Sequence, residues 1–464
     1  MKKNLILTIV ALLIGGFAMA QNNLTIYNMK PIPQKFYANP AKHSDAKIFV
    51  GVPGVSSYYM DFGLSSFKLK DVVNAISTEN GDTTFNFGEF SKGFNDQNYI
   101  SVSNATDIFS LGFKFKRNYF FVNATVVNNV RVSAPGDFFE FIAQGNGGEN
   151  LNRTFDFGFG IDMLSYGEIG LGYSRELIKD KLTVGARLHL IKGLGVVNTN
   201  NSTFKFTTDQ QTYDFLLQSD IEVNTSNSFN SYNGFDPFDS TSTADSLVVQ
   251  VGDFFTKGNR GQAIDFGVVF KPFKRFEFSA SVLNLGKITW NTNNYNWKSD
   301  DPTRTYKFTG LDIQNALEFN GDDVETAVNE LADTLAQVFD LNENSDEFTT
   351  GLFAQVYLGG NFILTKNHNA GILLHGSFYK KRLNPALTFS WNSRLTKVLG
   401  VSATYSVINN SFVNAGVGLS LNMGPIQTYF VSDNIIGLFA HDNVNTFNMR
   451  AGLNVTLGRK KKEG

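Results

Sequence analysis

The sequence predicts an all-β protein, a transmembrane antiparallel β-barrel of about 14 strands, within a range of roughly 12 to 16. Three observations support this prediction. The chain begins with an export signal, the remainder has no apolar run long enough for a membrane helix, and apolar residues alternate with small polar ones along many short segments. Without a helix, only a closed sheet can pair all its backbone groups within lipid.

The first 20 residues have the pattern of a signal peptide. Lys2 and Lys3 precede an apolar run from Leu5 to Phe17, and Ala18-Met19-Ala20 supplies the small residues of a cleavage site. Residues 1–20 are therefore predicted to direct export, and the expected location is the cell outer membrane. The chain contains no cysteine, which excludes a lipid anchor on cysteine, disulfides and thiolate metal sites.

Residues 21–45 lack the alternation of a strand. Pro31, Pro33 and Pro40 interrupt this stretch, and proline removes a backbone donor that a sheet would need. Two placements fit: a plug inside the barrel or an arm on its periplasmic side.

Residues 46–457 carry the alternation expected of a barrel wall. In Val413–Asn422 apolar residues at every second position oppose asparagine, glycine and serine, and Phe447–Leu457 repeats the pattern. Phe155–Ile161 alternates as well and is predicted to be a wall strand. Small polar residues on the second face are typical of a lumen, whereas a soluble sandwich would carry dense Lys and Glu there. The 45 Phe and 42 Gly suit a lipid-facing aromatic belt and a crowded interior.

Connections of two kinds alternate in the C-terminal half of the chain. Short links recur at every second junction, as in barrels with short periplasmic turns and long outer loops. Because the long connections fall at the other junctions, the polar excursions 193–260 and 286–350 are expected to face outward. Short helical insertions are predicted at Ser133–Gly145, which has an early proline and a terminal glycine, and at 322–341, which is amphipathic. Residues 458–464 form a basic tail.

Several framework segments resemble a known family. Leu24-Thr25-Ile26-Tyr27-Asn28-Met29, Val50-Gly51-Val52-Pro53-Gly54 and Gly424-Pro425-Ile426-Gln427-Thr428-Tyr429 are similar to recurrent stretches of an uncharacterised outer-membrane β-barrel family of gliding and type-IX-secreting bacteria. That family in turn resembles the long-chain fatty-acid transporter superfamily. The resemblance implies a barrel whose N-terminal segment plugs the lumen, and it assigns no binding residues here.

Motifs for chemistry are missing from the sequence. The five histidines lack metal-ligand spacing, and no Gly-x-Ser-x-Gly elbow occurs. We therefore expect no enzyme activity, catalytic residues, metal or cofactor. The net charge of −2 does not favour nucleic acid as a partner. Charged residues on predicted lumen faces are the candidate binding residues, either as structural pairs or as a constriction that selects solutes: Glu168, Arg187, Asp265, Glu277 and Arg450.

Two functions remain open at this point. The first is a passive channel or uptake protein for small, including hydrophobic, molecules. The second is a barrel that does not transport but acts as a binding or assembly component, for example of a secretion or surface complex, through its extracellular loops. Expected partners are outer-membrane lipid, a small hydrophobic ligand in the first case, and an outer-membrane or surface protein in the second.

Overall fold

The computed structural model describes residues 23–29, 31–65, 75–79, 82–86, 88, 90, 93–227, 258–308, 340–379, 382–408, 411–439 and 446–458. The predicted signal peptide, nearly all of the predicted helix 322–341 and residues 459–464 of the basic tail lie outside these residues. No helix among the described residues has the length and apolar character needed to cross a membrane.

The described elements are mostly strands. The strands are β1 Ile48–Gly51, β2 Tyr58–Leu64, β3 Ile76–Glu79, β4 Asp82–Phe85, β5 Gln97–Phe115, β6 Asn118–Pro135, β7 Thr154–Asp156, β8 Gly160–Ile178, β9 Leu182–Thr208, β10 Phe215–Ser226, β11 Arg260–Phe273, β12 Phe276–Trp290, β13 Asn294–Ser299, β14 Tyr306–Phe308, β15 Leu341–Asn344, β16 Phe348–Gly351, β17 Gln355–Ile363, β18 His368–Tyr379, β19 Arg382–Arg394, β20 Leu399–Ile408, β21 Ser411–Met423, β22 Ile426–Ser432 and β23 Thr446–Leu457. The helices are α1 Gly136–Gln144 and α2 Ile436–Phe439, with 3-10 turns η1 Ile26–Asn28, η2 Pro33–Tyr37 and η3 Gly148–Asn150.

The main sheet closes on itself. Strands β1 and β2 together form one interrupted wall strand, which pairs with β5 on one side and with β23 on the other. With β16 and β17 as a second interrupted strand, the wall has 14 antiparallel strands. The predicted fold class is therefore confirmed. Closure removes the free edges that an open sheet would expose.

The two faces of the wall differ as the alternation predicted. Along β21, Asn414, Gly416 and Ser420 are buried toward the lumen, whereas Val413 and Leu419 are exposed outside. The outer surface carries many exposed aromatic and aliphatic side chains, among them Phe113, Phe120, Leu188, Phe266, Phe278, Leu358, Ile372, Phe389 and Leu421. A surface of this kind needs an apolar environment.

The two ends of the barrel are unequal. At the terminal end, Ile48 of β1 lies opposite Leu457 of β23, and short turns join β5–β6, β8–β9, β11–β12, β17–β18, β19–β20 and β21–β22. At the loop end, β9 continues past Gly193 to Thr208 and β12 past Gly286 to Trp290. The predicted outer excursions thus begin as continuations of wall strands. Strands β10, β13, β14 and β15 extend the sheet beyond β9.

One predicted strand is wrong. Phe155–Ile161 was expected to form a wall strand, but β7 covers only Thr154–Asp156 and pairs with the loop-end part of β9. The wall strand β8 begins at Gly160. Phe155 and Phe157 pack against Phe141 of α1 instead, with ring centroids 5.4 and 4.9 Å apart. Alternation alone does not distinguish this aromatic packing from a lipid-facing strand.

Candidate functional site

The described residues of the N-terminal segment, 23–29 and 31–46, lie inside the barrel. Leu24, Ile32 and Phe36 have no exposed surface, although they belong to a stretch without long regular structure. The segment contacts the wall around its circumference. The Thr25 backbone N–H donates to Asp433 at 2.6 Å, and Ser281 Oγ donates to the Ala38 carbonyl at 2.6 Å. Burial and these hydrogen bonds place the described residues of the segment against the lumen face of the wall. We call this segment the plug.

Side-chain pairs join the plug to distant wall strands. Gln34 and Asn454 exchange two amide hydrogen bonds of 2.8 and 3.0 Å. The hydroxyls of Thr25 and Thr404 lie 2.8 Å apart. Each neutral hydrogen bond contributes only about 1 kcal/mol net. Together these bonds fix the plug in one position.

Glycines on the lumen face provide the space in which the plug lies. A Cβ atom at Gly185 would lie 2.6 Å from the Pro40 carbonyl carbon, and one at Gly416 would lie 2.6 Å from Thr25 Oγ1. The plug also approaches the glycines of neighbouring strands at Gly267, Gly359, Gly371 and Gly418. The predicted small-residue face of the wall is therefore shaped to the plug. Real Cβ atoms do not occur at such distances, so larger residues would push the plug away.

Three of the five predicted site residues come together. Arg187 pairs with Glu168 through Nη2 and lies 3.5 Å from Asp265 through Nη1. His189 completes the group, with Nδ1 2.8 Å from Glu168 and Nε2 2.9 Å from Asp265. The His189–Asp265 contact has ion-pair distance but lacks hydrogen-bond geometry. We call these four residues the ionic cluster; it links β8, β9 and β11 across the lumen face.

Arg450 lies in a neighbouring group that includes the plug. Its Nη1 donates to Ser57 Oγ at 2.7 Å, and its guanidinium carbon lies 5.4 Å from the ring centre of Tyr37. The Tyr37 hydroxyl donates to Asp107 at 2.6 Å. Burial raises the pKa of Tyr37 well above its usual value, so this hydroxyl stays protonated and remains a donor. A plug side chain therefore bonds directly to the charged wall.

Glu277 lies apart from the other predicted residues, toward the terminal end. It is 3.5 Å from Lys42 of the plug and 3.2 Å from Lys271 of the wall. Lys42 Nζ also lies 3.9 Å from the ring centre of Tyr27, another plug residue. The predicted lumen charges therefore fall into three places. Each of them contacts the plug, since the guanidinium carbon of Arg187 in the ionic cluster lies 5.0 Å from the ring centre of Tyr37.

Sequence reasoning missed four participants: His189, Asp107, Tyr37 and Lys42. The first two could have been found, since His189 is two residues from Arg187 on the same strand face and Asp107 alternates inward along β5. Tyr37 and Lys42 carried no such signal, because the plug has no strand periodicity. Among the described residues, no group of three or more His, Cys, Asp and Glu side chains is arranged to hold a metal ion.

An apolar layer lies on the loop-end side of the ionic cluster. On β9 Ile191 follows His189, and on β11 Ala263 precedes Asp265, so the lumen face changes from charged to apolar within one inward position. The layer comprises Tyr59, Ala105, Val127, Leu164, Tyr166, Ile191, Val196, Ala263, Ile288, Trp290 and Leu352, with Phe348 and Phe353 packed against it.

A small cavity lies between the charged side chains and the apolar layer. It measures about 40 Å³, room for only a few water molecules. Asp107, Glu168, Arg187 and Arg450 line it on the charged side, together with the plug residues Asn23 and Tyr37. Ala105, Val127, Tyr166 and Phe353 supply its apolar lining. Charged and apolar side chains therefore line the same small cavity.

These features define a closed 14-stranded β-barrel whose lumen holds an N-terminal plug beside a charged and aromatic cavity. The chain belongs to a family of unknown function (DUF5723), whose model matches residues 40–433. The expected membership of an uncharacterised family is thereby confirmed. No curated protein matches the chain.

Several solved structures resemble this chain. The toluene transporter TbuX of Ralstonia pickettii has 11% sequence identity and a TM-score of 0.44, covering 96% of this chain and 99% of that one. A FadL homologue of Pseudomonas aeruginosa has 10% identity and a TM-score of 0.43, covering 96% and 100%. The toluene transporter TodX of P. putida has 8% identity and a TM-score of 0.41, covering 91% and 94%. Similarities at this level do not define a function for the chain.

Proposed function

We propose that this protein is a gated outer-membrane channel for small, apolar or amphipathic molecules, with the plug as its gate. The observation that carries the proposal is the position of the plug. It lies inside a closed barrel and contacts both the wall glycines and the charged side of the cavity. A barrel whose lumen served only to stabilise the fold would need no separate segment packed against glycines of the wall.

The outer surface supports a location in a membrane. Large apolar side chains such as Phe266, Leu358 and Phe389 are about half exposed and lie on the outer face of the wall. An apolar outer face opposed to a polar lumen is the arrangement of outer-membrane barrels. In water the same surface would be an aggregation hazard.

The order of apolar and charged side chains along the lumen supports a transported molecule that has an apolar part. A molecule entering from the loop end meets the apolar layer first and the ionic cluster second. The cavity between them is too small for such a molecule while the plug is docked, because its volume is about 40 Å³. Passage therefore requires the plug to move, and binding energy from the aromatic lining would favour that movement.

A reversible tether between plug and wall tests the gate. The chain has no cysteine, so Thr25→Cys with Thr404→Cys introduces a single pair at positions whose hydroxyls lie 2.8 Å apart. Purified protein in liposomes should pass small aromatic solutes when reduced, lose that flux on oxidation, and regain it on reduction. The matched control is Thr388→Cys with Ser406→Cys, whose hydroxyls lie 2.9 Å apart on β19 and β20. This pair joins two wall strands without the plug.

The controls separate the outcomes. Flux that responds to oxidation only in the plug pair supports a moving plug. Equal flux from the oxidised and reduced plug pair would refute the gate, and no flux from the reduced or wild-type protein would refute the channel. Solutes of equal size but different polarity, tested in the reduced form, identify the cargo class.

A second function has one observation in its favour. Strands β10, β13, β14 and β15 build a sheet beyond the wall at the loop end, a surface that a passive channel does not require. If this sheet serves assembly, crosslinking in cells should recover a stoichiometric outer-membrane or surface partner. That partner should be lost on deleting residues 322–341. Recovery of the same partner from the deleted protein would contradict this role for the segment.

A further inference from the structure

The turns at the terminal end repeat one small pattern. Each of five turns carries Lys or Arg at or beside its tip, and exposed apolar side chains flank it. The turns are Phe115–Asn118, Ile178–Leu182, Phe273–Phe276, Leu364–His368 and Leu395–Leu399. Phe115 is 59% exposed, Phe273 70% and Leu395 52%. We call these five segments the basic turns.

The basic turns belong to one continuous rim. Backbone hydrogen bonds connect neighbours around the barrel: Glu176 N to Arg117 O, Lys271 N to Lys181 O, Ile363 N to Arg275 O, Arg394 N to Asn367 O and Asn422 N to Val398 O. The β21–β22 turn and the ends of β1 and β23 close the circle. The cations therefore share one height on the barrel, directly below the exposed apolar belt.

The charge of this rim contrasts with that of the loop end. The described carboxylates at or near the rim include Asp180 at the tip of the β8–β9 turn and Glu176, which accepts from the Asp180 backbone. Asp45 lies 3.8 Å from Arg394, and Glu277 lies 3.2 Å from Lys271. At the loop end, lysines already face carboxylates, as Lys307 faces Asp214 at 2.5 Å. The five basic turns together contain eight Lys and Arg residues and one carboxylate, Asp180.

From this placement we propose that the rim binds the headgroups of anionic phospholipids in the membrane leaflet at the terminal end. Apolar side chains such as Phe273 and Phe276 would enter the acyl boundary, while Lys274 and Arg275 between them reach the phosphates. Long basic side chains with apolar neighbours are suited to this interface. The proposal rests on the proposed membrane location but does not depend on transport.

An energy-transfer experiment tests the lipid preference. Trp391 is 41% exposed on β19, three residues before the end of that strand at Arg394, and serves as donor near the rim. Full-length protein is placed in phosphatidylcholine vesicles with trace dansyl-phosphatidylglycerol or dansyl-phosphatidylcholine. The wild type should favour the anionic probe by about fivefold or more, decreasing with added salt.

Neutralising variants give the matched comparison. The rim triple variant Lys274→Gln, Arg275→Gln and Lys397→Gln should reduce the ratio of anionic to zwitterionic probe transfer toward one, which means no preference. The loop-end triple variant Lys205→Gln, Lys298→Gln and Arg304→Gln should keep it. Heat-dependent gel mobility confirms that each variant is folded.

Three results would overturn the proposal: no preference in the wild type, an unchanged preference in the rim variant, or an equal loss in both variants. The first would also be expected if the rim served an acidic protein. Lipid preference without solute flux would refute only the channel, so the two proposals fail separately.

Discussion

Replacing Gly185 by alanine should release the plug. The added Cβ would lie 2.6 Å from both the carbonyl carbon and oxygen of Pro40 and 2.7 Å from the Ala41 nitrogen. These are backbone atoms, so no side-chain rotation can relieve the contact. Overpacking of this kind costs about 1–3 kcal/mol. If the cost acts only on the docked state, the released fraction rises by about 5- to 150-fold.

Cysteine accessibility measures this release. Ser44 of the plug is 2% exposed, and Ser44→Cys provides a unique thiol because the chain has no other cysteine. Its alkylation by a polar maleimide should accelerate in the Gly185→Ala background by the factor given above. The control is Gly360→Ala on the outer face, where the new Cβ would meet Ile372 at an ordinary 3.5 Å. Equal alkylation rates in both backgrounds would refute the docking of the plug against Gly185.

Three further perturbations follow from the same geometry. Val417→Lys puts a charge on the lipid face and should cost about 2–4 kcal/mol near mid-bilayer, measured by urea unfolding in vesicles. A cost below about 1 kcal/mol would contradict the assignment of faces. Arg187→Met leaves Glu168 and Asp265 without their guanidinium partner and should destabilise the fold by about 3–5 kcal/mol. The control is Arg153→Met, which removes a partly exposed pair with Glu140 and should cost less than about 1 kcal/mol. Burial, with Lys114 and Lys35 adding, lowers the pKa of His43 to about 4. Plug docking should therefore weaken and flux should rise as the pH falls from about 6.5 toward 4. His43→Phe should reduce this dependence, and an unchanged pH profile in that variant would contradict the role of His43.

At Gly418 the structure changes what the sequence suggests about which substitutions the wall accepts. Its position on the lumen face suggests that a small polar residue would be accepted there. A Cβ at Gly418, however, would lie 2.3 Å from Met29 Sδ and 3.1 Å from Ser402 Cβ. Because the first contact is the flexible end of a plug side chain, we expect Gly418→Ser to disturb the plug less than Gly185→Ala does.

The lumen charges illustrate how far sequence reasoning reaches toward the site. Alternation placed Glu168, Arg187 and Asp265 on inward faces, and all three are there. Their grouping follows from strand register, which sets Asp265 opposite Arg187 and Glu168 opposite Ile191. A shift of one residue would turn each side chain to the opposite face. Register across strands is not encoded locally, so Glu277 could not be separated from the others in advance.

The sequence by itself determined the class of protein. The period-two pattern, the missing membrane helix and the small polar inner face each have a local physical cause, namely the pleat of a strand and the cost of unpaired backbone in lipid. Only the tertiary structure decided what fills the barrel. The plug has no periodicity, and its position depends on contacts between residues hundreds of positions apart, such as Thr25 with Thr404 and Gln34 with Asn454. Long-range packing of this kind cannot be derived from neighbouring residues, because the wall glycines that receive the plug acquire their role only when the sheet closes.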